Sequence, residues 1–74
     1  MEFWKYALKQ IVNEFEKQIK SREIKPGELL PSIRFMALIN GINPSTVARS
    51  YKILVKKGYA KPDINRGYEA VDPS

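Results

Sequence analysis

Gly41 and Pro44, in the run N-G-I-N-P-S at residues 40–45, limit the possible folds more than any other feature of this chain. Proline is excluded from a helix interior but fits the first helical position, where its missing N–H costs nothing. Asn43, just before it, is a strong N-cap, and Gly41 can close a preceding helix in the left-handed conformation. One helix must therefore stop at about residue 40 and another start at 44, with Ile42 left to plug the turn between them.

The apolar spacing on both sides agrees. Ile33, Met36 and Ala37 form the inward face of a helix over 33–40, opened by Ser32 after Pro31. Val47, Tyr51 and Leu54 face inward from a helix over 44–57 that Gly58 ends. Upstream, Trp4, Leu8, Ile11, Val12, Phe15 and Ile19 recur at three- and four-residue steps and predict a helix over 3–20, with Gln10, Asn13 and Lys17 outward. Phe3 and Tyr6 fall off that stripe and are the candidates for a subunit contact. The run K-P-G-E (25–28) reads as a tight turn, after which Leu29 and Leu30 deliver apolar side chains to the core. Beyond Gly58, extended runs at 59–62 and 68–71 flank D-I-N-R-G, where Asn65 and Gly67 tolerate positive φ. A hairpin is expected there, and Pro62 assigns it to an edge. Residues 71–74 read as a loose tail.

At 74 residues the chain is a single domain spanning 1–74, with room for one small core. It has neither cysteine nor histidine, which removes disulfides, thiol nucleophiles, the usual zinc sites and the commonest general base. No enzyme activity and no cofactor are expected. Thirteen Lys and Arg against eight Asp and Glu give a net charge of +5, suited to a polyanion such as nucleic acid or an anionic membrane surface. Glu2, Lys5 and Lys9 interrupt the N-terminal apolar residues, so no signal peptide is read there. No run approaches the ~20 apolar residues of a membrane span. A cytoplasmic protein without a membrane partner is expected.

Two short helices joined by a tight turn are the arrangement of a helix-turn-helix, in which the second helix presents its first residues to a DNA major groove. Small Ser45 and Thr46 let the helix mouth approach phosphates, with free N–H groups to hold them. Arg49, one turn on, can reach a guanine edge or a phosphate. Ala48 and Lys52 complete that face, and Lys56 extends it. Helix, helix-turn-helix and hairpin in this order give a mainly α (α+β) winged helix-turn-helix of three helices and a two-stranded C-terminal wing. Arg66, beside Gly67 at the wing tip, suits a minor groove or flanking phosphate. Two other readings use the same fold: a protein-binding adaptor, and a plasmid or viral replication or partition protein.

The motifs Pro26-Gly27, Leu30-Pro31-Ser32-x-Arg34 and Thr46-Val47-x-x-x-Tyr51-x-x-Leu54-x-x-x-Gly58 make the chain resemble the DNA-binding domain of GntR-type transcription regulators. The run I-N-P-S-T-V-A-R-S-Y-K-I-L is most similar to their YtrA-like branch. The resemblance spans about residues 8–71 and implies a homodimeric regulator, most simply a repressor, on an inverted-repeat operator of double-stranded DNA. It places Arg34 on the bracing helix, Ser45, Thr46 and Arg49 on the recognition helix, and Arg66 and Gly67 on the wing. Ser32 would help hold a phosphate. With Asn43 at the cap and Lys52, these are the candidate DNA-contacting residues. There are departures from the family pattern. Arg22 stands where a glycine is usual after the first helix, Asn40 replaces a leucine, and Leu38 and Ile39 stand where charges are common. In the wing, Glu69 takes the place of a phenylalanine, with Tyr68 one step earlier as its substitute. Family members continue into an effector-binding or dimerisation region, whereas this sequence ends just after the wing. It reads either as the DNA-binding part of something longer or as a minimal regulator without a small-molecule effector.

Overall fold

The structure, a computed structural model, describes residues 3–73. Glu2 and Ser74, which bear on the expected N-terminus and tail, lie outside the described residues. Helix α1 covers Phe3–Lys20, α2 Ile33–Asn40 and α3 Pro44–Lys56, followed by strands β1 (Ala60–Asp63) and β2 (Gly67–Ala70). This is the expected winged helix, with α3 one residue shorter and each strand edge displaced by one.

The helix ends are built by the residues that the sequence marks. Ser32 Oγ accepts from the Phe35 N–H at 3.1 Å and opens α2. Gly41 closes it at φ 62°, its N–H donating to Leu38 O while the Ile42 N–H donates to Ala37 O. This pair of bonds satisfies two otherwise orphaned carbonyls. Arg22 takes the equivalent position after α1 and is the one non-glycine residue at positive φ (68°) among the described residues. The left-handed conformation costs a side-chain-bearing residue roughly 1–2 kcal/mol. Its guanidinium reaches Asp72 at 3.2 Å, and the Val71 N–H donates to Tyr59 O, so the segment expected to be loose is held at both residues.

Tyr51 occupies the centre. Its side chain is fully buried, its ring meets Phe15 edge-on at 5.6 Å and Tyr68 at 5.3 Å, and its hydroxyl donates to Pro31 O at 2.7 Å. Val47 and Leu54 flank it, Ile11, Val12 and Ile19 come from α1, and Ala37 from α2. Ser50 lets α1 and α3 approach closely, its Oγ donating to Thr46 O at 2.9 Å.

Two apolar expectations are corrected. Leu29 is exposed while Leu30 is buried, because successive residues of an extended segment point to opposite sides. Trp4 is 41% exposed, because the buried part of the α1 stripe begins only at Ala7 and the first turn overhangs the core.

The wing is an antiparallel hairpin in which Lys61 pairs with Glu69 and Pro62 with Tyr68. Tyr68 packs against the Tyr51 ring, and Glu69 lies 3.8 Å from Lys61 Nζ. On its other side β2 meets residues 27–30: the Leu30 N–H donates to Tyr68 O and the Ala70 N–H to Glu28 O. β1 is therefore the outer strand, where Pro62 was expected.

Tyr51→Phe keeps the ring packing but removes the bond to Pro31. Urea denaturation is expected to show a loss of about 0.5–1.5 kcal/mol. Leu54→Ala, which opens a cavity, is expected to cost about 2–5 kcal/mol and to leave much of so small a domain unfolded. Arg22→Gly relieves the left-handed strain but loses an exposed ion pair, and a net gain of up to about 1 kcal/mol is expected in the same assay.

Candidate nucleic-acid interface

Residues 29–62, from just before α2 into β1, contain no aspartate or glutamate but six cations. Four of these, Arg34, Arg49, Lys52 and Lys56, lie on α2 and α3, are exposed, and form no ion pair among the described residues. Some of the carboxylates outside this stretch are engaged with other cations. Glu16 holds Lys57 at 2.6 Å and Lys20 at 3.9 Å, Asp72 holds Arg22, and Asp63 holds Arg66. The bond from Glu16 also raises the Lys57 pKa. Uncompensated positive charge thus sits on the helix-turn-helix.

At the mouth of α3, Asn43 Oδ1 accepts from both the Ser45 N–H and the Ser45 hydroxyl, each at 2.9 Å. The Thr46 N–H donates to Asn43 O at 2.9 Å, and Pro44 has no N–H. The expectation of free N–H groups at this mouth is therefore corrected: the first donors are already taken by the cap. What the mouth offers is the helix dipole and the exposed side chains of Asn43 and Ser45. Thr46 is a second correction, because it is only 5% exposed. It lies four residues before buried Ser50 and beside buried Val47, so the inward stripe of α3 is wider than its apolar residues suggest.

Asn43, Ser45, Thr46 and Arg49 surround one open hollow, and Trp4 of α1 completes its rim. The Arg49 guanidinium lies 5.2 Å from the Trp4 ring centre. Arg34 lines a neighbouring hollow with Gly41, Ile42 and Pro44, which brings the bracing helix to the start of α3. Ser32, Arg66 and Gly67 line a third with Tyr51 and Tyr68, so the β2 side of the wing turn meets the opening of α2. Lys52 stands exposed on α3.

The wing tip departs from expectation in one respect. Only Gly67 (φ 104°) takes positive φ, and Asn65 does not. The turn is instead organised by Asp63, whose carboxylate accepts from the Asn65 and Arg66 N–H groups and holds the Arg66 side chain at 2.9 and 3.1 Å. The Arg66 side chain, with the Asn65 N–H behind it, holds the Asp63 carboxyl below the usual range. Arg66 is correspondingly raised by Asp63. Sequence reasoning passed over two exposed side chains near these residues, Trp4 and the fully exposed Ile64. The helical stripe runs through Trp4 without showing where the core ends, and the turn composition gives Ile64 no inward or outward sense.

Residues 7–68 match the model of bacterial regulatory proteins of the gntR family. The chain belongs to the GntR family. It is 36% identical over 58 residues to the HTH-type transcriptional repressor YtrA of Bacillus subtilis, covering 78% of this chain and 45% of that protein. It is 31% identical to YhcF of the same organism, again over 78% of this chain and 48% of that protein. This GntR-family chain therefore spans less than half the length of these two relatives. Among solved structures it is similar to YtrA from Sulfolobus acidocaldarius, a GntR-family transcription factor, with 38% identity and a TM-score of 0.80 over 86% of this chain and 54% of that one. A transcriptional regulator from Oenococcus oeni superposes with a TM-score of 0.81 at 27% identity, over 89% of this chain and 55% of that one. The winged helix is thus the family's fold. No helix among the described residues is long and apolar enough to cross a membrane.

Because the folded-state pKa of Asp63 is lowered, its bonds contribute fully above the ordinary aspartate pKa and are lost as the pH falls through the depressed value. The Asn65 and Arg66 amide resonances are expected to stay constant down to about pH 4 and to shift only below it. In Asp63→Asn that acid transition should disappear.

Proposed function

We propose that this GntR-family chain is the DNA-reading part of a transcription regulator, most simply a repressor. It binds as a homodimer to an inverted repeat of double-stranded DNA. The observation that carries this reading is the carboxylate-free stretch from 29 to 62, with Arg34, Arg49, Lys52 and Lys56 on its two helices and without an ion pair among the described residues. Surfaces that bind phosphate chains release counterions from the DNA, and for that they need cations that are not already neutralised by the protein. The α3 helix lies in the major groove with Ser45 and Arg49 towards the bases, and Arg34 approaches from α2. Lys52 and Lys56 meet phosphates. Asn43 and Ser32 serve as caps first, leaving Ser32 with a hydroxyl hydrogen for a phosphate. Thr46, being buried, positions the helix and does not touch DNA. Arg66 and Gly67 approach flanking DNA, with Arg66 half-neutralised by Asp63. Phe3 and Tyr6, both exposed on α1, are the candidates for the contact between two copies.

A protein-binding adaptor is the second reading, favoured by one observation. Phe35, Leu38 and Ile39 are exposed on α2, Leu38 by 80%. Charged residues would be cheaper to solvate at these positions.

Selection of bound fragments from random duplexes tests both readings. A regulator is expected to enrich a pseudo-palindrome whose half-sites lie about 34 Å apart, whereas an adaptor enriches none. On the enriched site, Arg49→Ala is expected to cost about 1–3 kcal/mol and to relax one base position, as for a lost bidentate guanine contact. Lys52→Ala is expected to weaken all sequences alike and to reduce the salt slope by about one unit.

A further inference from the structure

We propose that Trp4 is a positioning residue for Arg49, and that the first turn of α1 thereby sharpens the choice of DNA sequence; this rests on the DNA-binding reading above. The matched family segment begins at residue 7, whereas α1 begins at Phe3, so Trp4 stands on a turn ahead of it. That turn overhangs the start of α3. Trp4 there shares a hollow with Asn43, Ser45, Thr46 and Arg49.

The Arg49 guanidinium lies 5.2 Å from the Trp4 ring centre, within the range of a cation–π contact. It has no carboxylate to orient it among the described residues. Among the described residues, Lys5 Nζ also lies near the ring, at 5.6 Å. A lysine ammonium is compact and strongly hydrated, whereas a guanidinium is planar and weakly hydrated, so Arg49 gains more from the ring. Stacking uses the face of the guanidinium and leaves its in-plane N–H edge free. That edge is the part that bonds bidentately to guanine. Trp4 can therefore hold Arg49 during base contact without competing for the same donors. The gain is in order: an arginine already confined loses less rotamer freedom when it docks.

The test measures the full chain and its variants on the selected operator and on random duplex, with far-UV circular dichroism to check the fold. Trp4→Leu is expected to weaken operator binding by about two- to fivefold, the size of an exposed cation–π contact. Its binding to random duplex should be unchanged, and Trp4→Phe, which keeps a ring, should recover most of the loss. In an Arg49→Ala background, Trp4→Leu should add nothing, since the two act as one unit. Trp4 is the sole tryptophan. Arg49→Ala in the free protein is therefore expected to shift its fluorescence.

Equal losses on operator and random duplex would overturn the proposal, as would a Trp4→Leu loss of the same size with and without Arg49. An Arg49→Ala spectrum identical to that of the wild type would also overturn it. If the wild type enriches no duplex, the DNA-binding reading itself falls. If it binds its operator and Trp4→Leu binds equally well, only the role of Trp4 falls.

Discussion

The bond from the Tyr51 hydroxyl to Pro31 O, with the ring wedged between Phe15 and Tyr68, is the junction on which the other parts depend. Through one side chain, α3 is fixed to α1, to the segment that enters α2 and to the wing. Burial favours the neutral phenol and pushes its pKa well above the usual tyrosine range, so the donor persists at any ordinary pH. A domain of this size has few other layers of packing with which to set the angle of α3. The helix projects because its inner side is fully committed: Thr46, Val47, Ser50, Tyr51 and Leu54 are all buried.

The outer side of the same helix follows a different rule. Its polar groups serve first to complete the helix and only then face outward. Asn43 satisfies two donors of Ser45, and Asp63 organises the wing turn before Arg66 extends from it. The charge remaining for a partner lies where no acid among the described residues neutralises it, on Arg34, Arg49, Lys52 and Lys56. Separation of acids from this face is a matter of sequence placement. The contacts of Glu16, Asp63 and Asp72 then keep it in three dimensions by occupying cations elsewhere.

Backbone punctuation was the most legible part of the sequence. Ser32, Gly41, Asn43 and Pro44 each act through local geometry, and each stands at the helix boundary assigned to it. Burial was read less well, because it depends on partners far along the chain. Thr46 looked exposed because it is polar, yet it lies within the stripe set by Val47 and Ser50. Trp4 looked buried because it is apolar and in phase, yet nothing in a periodicity marks where the opposing helices end. Leu29 and Leu30 could not both point inward from an extended segment, and only the pairing with Tyr68 fixed which one did. The positions of Ser45, Arg49 and Lys52 on the outer side of α3 could be read from spacing alone. The capture of Arg66 by Asp63 could not, since it depends on how the turn closes.

The wing shows how such a small sheet stays solitary. β2 is covered on both sides, by β1 and by residues 27–30, which leaves β1 as the open border. There Pro62 offers no N–H, and Lys61 places a positive charge beside it. A strand from another molecule would find a missing donor, with a long charged side chain beside it, along a border of four residues. Extension of this sheet by a strand from another molecule is therefore disfavoured at its one open border.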